Sequence, residues 1–263
     1  MNGPGEEFWE RAKKARRPLL ALDYDGTLAP FQTDRMAALP LPGVTEAIGS
    51  IILDTKTIMA VVSGRPLFEL DRLMGPVSSQ MVAIGSHGWE WRDAKGDLRP
   101  AGLDVDTDKL FEKARSAALE SGTNKLGADA RQRVERKAAS VAAHVRGLDP
   151  KTADAWLSEI RTSWQALSTP GLEVMEFDGG LEIRSAERNK GRAITELLRF
   201  TGGPDFPVYV GDDLTDEDAF RALPEHGAGI KVGEGHTAAG YRLEDCEAVK
   251  SFLQKWAHLF KSR

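Results

Sequence analysis

Short, continuous apolar runs recur along the chain, and each is followed by glycine, serine or aspartate. They are Leu19–Leu22, Ile58–Val62, Met81–Ile84, Val208–Val210 and Gly229–Val232. Continuous runs, rather than alternating ones, are typical of parallel strands that are buried on both faces. Helical patterns such as VTEAIGSIIL and GRAITELLRF separate several of them. This alternation predicts an α/β fold with a doubly wound parallel sheet.

The stretch from about Leu103 to Arg184 has a different pattern. Two helical segments, DKLFEKARSAALESG and TADAWLSEIRTSWQAL, enclose VERKAASVAAHVR, which partly alternates with a period of two. That period predicts strands, although the alanines keep a helix open for this segment. LEVMEF and LEIRS then flank Asp178-Gly179-Gly180, a strong hairpin signal. We therefore predict an α+β cap domain at 103–184, inserted between core parts 1–102 and 185–263.

Composition narrows the choice of partner and compartment. The net charge of −5 and the pI near 5.7 argue against nucleic acid, because the one basic stretch, RQRVERK, is short and interrupted by Glu135. The single cysteine, Cys246, cannot form an intramolecular disulfide. The chain has no apolar run near the ~18–20 residues that span a bilayer and no secretory h-region at its start. We expect a cytoplasmic monomer without a membrane or nucleic-acid partner.

Polar residues with catalytic potential follow the apolar runs. They are Asp23 and Asp25 in LLALDYDGTL, Ser63 in VVSGRP, and Asp212, Asp213 and Asp216 in VYVGDDLTDED. Lys190, in RNKGRAI, stands at a predicted helix start. Ligands of open α/β sheets bind outside the carboxyl ends of the strands, so we expect these residues to converge on one rim. Each fragment alone also fits a solvated turn or a helix cap. Their joint occurrence favours a functional site.

The combination of carboxylates with a lysine indicates a particular chemistry. A cluster of carboxylates suits Mg²⁺, which binds one or two carboxylates together with substrate phosphate. One carboxylate can then act as a nucleophile and another as an acid and base. A carboxylate about 3.5 Å from a phosphate charge is repelled by roughly 5 kcal/mol per charge pair at an effective dielectric near 20. A cation and a lysine would offset that repulsion.

These motifs resemble those of the haloacid-dehalogenase superfamily of phosphatases. LDYDGTL is similar to its first motif, SGR to its second, Lys190 to its third and GDDLTDED to its fourth. The resemblance implies that Asp23 attacks phosphorus and that Asp25 protonates the leaving oxygen and later activates water. It also implies that Ser63 and Lys190 hold the phosphoryl oxygens. Three groups would bind Mg²⁺, with Asp213 or Asp216 in support: Asp23, the Asp25 carbonyl and Asp212.

More narrowly, the chain resembles the trehalose-phosphatase family. GSHG at Gly85–Gly88, the cap segment VERKAASVAAHVR and the LEIR strand before Lys190 carry this likeness. It implies trehalose 6-phosphate, a phosphorylated disaccharide, as the substrate. Substrate-binding candidates are Arg65 and His87 in the core and Glu135, Lys137, His144, Arg146 and Glu182 in the cap. Glu135, Lys137 and Glu182 are expected to bind sugar hydroxyls, while His87 fits a structural role in a tight turn equally well.

Three other interpretations of the sequence remain open. A related phosphatase could act on sucrose phosphate or mannosyl-phosphoglycerate, and only the cap residues argue against it. A signalling receiver domain also uses an acidic cluster and a lysine, but it is about half as long and has no need of the second acid, Asp25. A catalytically silent sugar-phosphate sensor typically lacks a nucleophile or a metal ligand, and none is missing here.

Overall fold

The computed structural model of the chain describes residues 3–100, 105–137, 139–167, 171–177, 179–186 and 188–260. The chain divides into two compact units, which we call the core unit (Met1–Pro100 with Asn189–Arg263) and the insert unit (Ala101–Arg188). The first boundary expected from the sequence, between 102 and 103, lies outside the described residues. The second, between 184 and 185, falls within the last strand of the insert unit.

Helices and strands alternate through most of the chain. The helices are α1 (Glu6–Lys14), α2 (Val44–Asp54), α3 (Leu67–Met74), α4 (Val105–Leu126), α5 (Ala130–Arg133), α6 (Pro150–Leu167), α7 (Lys190–Phe200), α8 (Asp216–Ala222) and α9 (Cys246–Phe260). The strands are β1 (Pro18–Leu22), β2 (Ile58–Val62), β3 (Val82–Gly85), β4 (Glu90–Arg92), β5 (Leu98–Pro100), β6 (Val134–Lys137), β7 (Ser140–His144), β8 (Leu172–Phe177), β9 (Gly180–Ser185), β10 (Phe206–Gly211), β11 (Ala228–Val232) and β12 (Tyr241–Leu243).

The core unit is built on one sheet with the strand order β12-β11-β10-β1-β2-β3-β4-β5. The pairs from β12 to β3 are parallel, and β4 and β5 add an antiparallel edge. Strand β1 lies between β10 and β2, with Leu20 opposite Val208 on one side and Met59 on the other. The carboxyl ends of these three strands are therefore neighbours at one edge of the sheet.

Helices cover both faces of this sheet. Leu20 and Leu22 pack in a buried cluster with Phe8 of α1, Ile48 of α2 and Trp256 of α9. Leu19 and Ala21 point the other way, into a second cluster formed with α7 and α8. Every residue of β1 is buried, as expected for a central parallel strand. The predicted α/β fold with a doubly wound parallel sheet is confirmed.

The insert unit contains an antiparallel sheet of order β6-β7-β9-β8 with helices against it. The segment VERKAASVAAHVR forms the hairpin β6–β7, so the strand alternative is correct and the helix is not. Its alanines are compatible with both states, and pairing of β7 with β9 decides the outcome. LEVMEF and LEIRS pair as predicted, while Asp178 of their turn lies outside the described residues. Within the described part of the chain, no helix has the length and apolar character that crossing a bilayer requires.

Candidate active site

The ends of β1, β2 and β10 bring the first polar residues together. Asp23 follows β1 directly, and its backbone N–H donates to the carbonyl of Val210 in β10 at 2.9 Å. Ser63 follows β2, and its N–H donates to the carbonyl of Ile84 in β3, also at 2.9 Å. The sheet register thus continues one residue beyond each strand. It fixes Asp23 and Ser63 at the carboxyl edge, where the sequence places them.

Lys190 joins two carboxylates that are distant in sequence. Its Nζ donates to Asp23 Oδ1 at 2.7 Å and to Asp216 Oδ1 at 2.6 Å. All three side chains are almost completely buried. Lys190 is the first residue of α7, where the Asn189 side chain caps the helix by accepting from the N–H of Arg192. Helix α7 therefore delivers the ammonium group to the acidic edge.

Asp212 completes an acidic cluster with Asp23 and Asp216. One carboxylate oxygen from each of the three lies within 4.8 Å of the others. Asp212 can approach the DYDGT loop because Gly26 has no side chain, since a Cβ there would lie 2.0 Å from Asp212 Oδ2. Gly26 also has a φ of +72°, which favours glycine. A side chain at position 26 would collide with Asp212, which explains why this motif has glycine there.

Burial and mutual repulsion perturb the ionisation of this cluster. Burial raises the pKa of Asp23 well above its usual value, and Asp216 and Asp212 act in the same direction against Lys190. Burial and the charge of Asp216 raise the pKa of Asp212 to about 7. Although burial opposes its charged form, Asp216 and Asp23 raise the pKa of Lys190 above its usual value. With one lysine among three carboxyl groups, burial and repulsion both favour the protonated forms of Asp23 and Asp212.

Asp25, the second acid of the DYDGT loop, is held by Arg65. The guanidinium donates from Nε to Oδ2 at 2.7 Å and from Nη2 to Oδ1 at 2.6 Å. Arg65 also donates to Glu69 at 3.2 Å, and Glu69 accepts from Arg35 at 2.8 Å. The Arg65 guanidinium lies over the ring of Tyr24, 5.2 Å from its centroid. Arg65 therefore orients Asp25, which the sequence motif alone does not indicate.

His87 belongs to a strained turn that contacts the Ser63 loop. Ser86 and His87 have φ values of 49° and 55°, a backbone conformation that is uncommon for residues other than glycine. The His87 N–H donates to the Ser63 carbonyl at 3.0 Å, and the Ser86 N–H donates to the Arg65 carbonyl at 2.9 Å. The GSHG turn thus supports the backbone of the SGR motif.

Asp213 and Asp216, the two candidate supporting acids of GDDLTDED, differ in position. Asp216 accepts from Lys190 and lies in the acidic cluster, whereas the Asp213 side chain accepts from the N–H of Leu214 at 2.7 Å. Two further groups that the sequence analysis missed contact this loop. Tyr209 Oη donates to Asp216 Oδ1 at 2.5 Å, and Lys231 Nζ donates to the Asp212 carbonyl. A tyrosine and a lysine inside otherwise apolar strand patterns are the signals that could have found them.

The cap candidates lie on β6, β7 and β9 of the insert unit. Glu182 Oε1 accepts from Lys137 Nζ at 2.9 Å and from Ser140 Oγ at 2.7 Å. His144 Nε2 lies 3.1 Å from Glu135 Oε2.

Glu135, Ala142 and Glu182 are in register across three adjacent strands, so their side chains share one face. The Arg146 side chain packs against Gly179, just beyond β7.

The acidic cluster has the chemistry of a site for a hard divalent cation. Its ligand atoms are carboxylate oxygens, which Mg²⁺ prefers, and they are close enough to share one ion. Burial and the charge of Asp216 raise the pKa of Asp212, and a bound cation would relieve both effects. The residues present therefore fit a magnesium ion.

Comparison with known proteins shows the family to which the chain belongs. The model of the trehalose-phosphatase family matches residues 21–247. A bifunctional trehalose-6-phosphate synthase/phosphatase of Thermoproteus tenax is 31% identical over 243 residues, which are 92% of this chain and 32% of that protein. Trehalose 6-phosphate phosphatase RA3 of Zea mays is 31% identical over 265 residues, covering 94% of this chain and 72% of that protein. This chain thus spans about a third of the archaeal relative and most of the maize relative.

A solved structure gives the same fold at lower sequence identity. The C-terminal domain of Candida albicans trehalose-6-phosphate phosphatase aligns with a TM-score of 0.83 and 23% identity, covering 98% of each chain. A phosphatase of the haloalkanoate (HAD) enzyme superfamily from Bacteroides thetaiotaomicron aligns with a TM-score of 0.60 and 14% identity, covering 92% of this chain and 94% of that chain, which indicates a shared fold. The match to the family model shows more: the chain belongs to the trehalose-phosphatase family, whose members are phosphoric monoester hydrolases.

Proposed function

We propose that this protein is a Mg²⁺-dependent phosphatase that hydrolyses trehalose 6-phosphate to trehalose and phosphate through a phosphorylated Asp23. The observation that carries the proposal is the buried contact of Asp23 with Lys190, next to Asp212 and Asp216. A structural ion pair would not need a third carboxylate beside the two that Lys190 contacts. A site for a divalent cation and a phosphate does, because the carboxylates bind the cation, and the cation and Lys190 offset the negative charge of the phosphate.

Asp23 is the proposed nucleophile of the first step. One of its oxygens forms a bond to phosphorus while the bond from phosphorus to the sugar oxygen breaks, and Asp25 gives that leaving oxygen a proton. Lys190 holds Asp23 in place and, with the Ser63 hydroxyl, offers donors to the phosphoryl oxygens. Arg65 keeps Asp25 oriented through its two hydrogen bonds.

Water completes the reaction in the second step. Asp25, now unprotonated, accepts a proton from water as the water oxygen bonds to phosphorus. The bond from Asp23 to phosphorus breaks, so inorganic phosphate leaves and Asp23 is regenerated. Asp23, the Asp25 carbonyl and Asp212 are the proposed ligands of Mg²⁺, which supplies charge stabilisation for the transferring phosphoryl group. Asp216 supports the site by holding Lys190, and Asp213 belongs to the same loop.

The insert unit is the proposed source of substrate selectivity. Glu135, Lys137 and Glu182 place charged groups on one face of its sheet, with His144 beside Glu135. Carboxylates and ammonium groups bind sugar hydroxyls through charge-assisted hydrogen bonds. A disaccharide has many hydroxyls, and this polar face would distinguish it from a small phosphate ester. Arg146, Arg65 and His87 are proposed to support substrate binding through the loops that they hold.

A panel of phosphate esters tests the proposal. Phosphate release should be measured for trehalose 6-phosphate, sucrose phosphate, mannosyl-phosphoglycerate, glucose 6-phosphate and p-nitrophenyl phosphate, each with Mg²⁺ and with EDTA. We expect the highest kcat/KM for trehalose 6-phosphate and loss of all activity in EDTA. Preference for another disaccharide phosphate would refute the substrate but not the chemistry, whereas activity undiminished by the chelator would refute the role of the acidic cluster.

A further inference from the structure

Tyr209 is a polar residue in the middle of an apolar, fully buried strand. In β10, Val208 and Val210 face the cluster under α1, α2 and α9, whereas Tyr209 faces the cluster under α7 and α8. A phenylalanine would fill that position equally well as an apolar side chain. The tyrosine hydroxyl instead donates to Asp216 Oδ1 at 2.5 Å with no exposed surface on either residue.

Asp216 receives three donors, which together fix its carboxylate. Oδ1 accepts from Tyr209 and from Lys190, and Oδ2 accepts from the N–H of Asp213 at 2.9 Å. The carboxylate lies directly against the end of β10, because a Cβ at Gly211 would be 2.4 Å from Asp216 Cγ. Tyr209 is the one donor among these three that comes from within the strand, since Lys190 comes from the start of α7 and the Asp213 N–H from the loop.

Lys190 lies between two carboxylates, so its position depends on the charge available from each. Its ammonium is 2.7 Å from Asp23 Oδ1 and 2.6 Å from Asp216 Oδ1. A hydrogen bond from Tyr209 satisfies part of the acceptor capacity of Asp216. Without this hydrogen bond, two donors instead of three would hold the Asp216 carboxylate, which could then shift together with the Lys190 ammonium. In a buried site a displacement of that ammonium is costly for catalysis.

We propose that Tyr209 is a positioning residue for phosphoryl transfer: its hydroxyl fixes Asp216 and thereby holds Lys190 at the place from which it contacts Asp23 and the transferring phosphoryl group. This inference rests on the proposed phosphatase function. It assigns the hydroxyl a role in the reaction that ring packing does not require. The ring itself packs edge-on against Phe220, with centroids 5.7 Å apart.

The test compares Tyr209→Phe with Phe220→Leu, each in the unchanged protein and in an Asp216→Ala background. Two quantities are measured with Mg²⁺: kcat for p-nitrophenyl phosphate, and the Kd of tungstate, a phosphate analogue, by calorimetry. A hydrogen bond to a charged group contributes enough that Tyr209→Phe should lower kcat about tenfold and raise the tungstate Kd several-fold. In the Asp216→Ala background it should change either quantity by less than about twofold. Phe220→Leu should have the same effect in both backgrounds.

The outcomes separate the inference from the function on which it rests. Unchanged kcat and tungstate affinity in Tyr209→Phe would overturn the inference, as would equal losses with and without Asp216. Tungstate binding decides the comparison if the Asp216→Ala protein has no measurable turnover. If that background does not fold, Tyr209→Phe alone decides it, because a packing role predicts no loss for a phenylalanine. Absence of hydrolysis by the unchanged protein would instead refute the proposed function.

Discussion

Replacing Arg65 with alanine should lower the free energy of unfolding of the core unit, because Arg65 contacts three other side chains at once. Arg65 has a side chain that is 4% exposed, makes two hydrogen bonds to Asp25 and one to Glu69, and lies over the Tyr24 ring. Removing one partner of a buried ion pair typically costs about 3–5 kcal/mol. Here Asp25 is 31% exposed and can be hydrated, and Glu69 keeps Arg35. We therefore expect a loss of about 2–3 kcal/mol.

Urea unfolding of the metal-free protein measures this loss, with Arg35→Ala as the matched control. Arg35 contacts the same Glu69 but is more exposed, and Arg65 remains on Glu69 when it is removed, so its loss should be about 1 kcal/mol or less. Only Arg65→Ala should also lower kcat, by about tenfold for any substrate, because Asp25 then lacks both donors that orient it. The reasoning is wrong if Arg65→Ala costs no more stability than Arg35→Ala.

Three other changes test the nucleophile, the insert unit and the metal site. Asp23→Asn should abolish turnover with tungstate binding retained; retention of about a tenth of kcat would exclude Asp23 as the nucleophile. Changing Glu135, Lys137 or Glu182 to alanine should lower kcat/KM for trehalose 6-phosphate by about ten- to hundredfold and leave p-nitrophenyl phosphate within about threefold; equal losses on both substrates would argue for a structural role. Because the pKa of Asp212 is about 7 without metal, calorimetry should show Mg²⁺ affinity falling as the pH decreases below 7, since a protonated carboxyl does not bind the cation. A pH-independent affinity would contradict that assignment.

Strand position predicts where several residues of the candidate site lie in the fold. Asp23, Ser63 and Asp212 each come directly after, or one residue beyond, a continuous apolar run, and parallel strands end at a common edge. Lys190 was found through its motif, and the structure places it on Asp23 and Asp216. Residues at strand ends are predictable because the register of a parallel sheet aligns the carboxyl ends of neighbouring strands.

Contacts that depend on side-chain direction were not predictable from the sequence. Arg65 is adjacent to the SGR serine, but nothing in the sequence shows that its guanidinium turns to Asp25 rather than to a substrate. Tyr209 and Lys231 lie within apolar strands, and which face each one occupies becomes clear only from the register of β10 and β11. The hairpin β6–β7 was ambiguous because its two-residue period predicts strands whereas its alanines favour a helix, and the pairing partner of β7, β9, is distant in sequence.

The central claim, that Asp23 carries the phosphoryl group during turnover, is tested most directly by trapping that intermediate. Asp25→Asn should be mixed rapidly with p-nitrophenyl phosphate and Mg²⁺, quenched in acid, digested and analysed by mass spectrometry. An aryl leaving group needs little protonation, so the first step should proceed while the second, which needs Asp25 as base, slows. We predict one phosphoryl group on the peptide that contains Asp23, and none in Asp23→Asn. Phosphate on another residue would contradict the account. So would the absence of a phosphorylated peptide from Asp25→Asn at every time point, if the unchanged protein hydrolyses the same substrate.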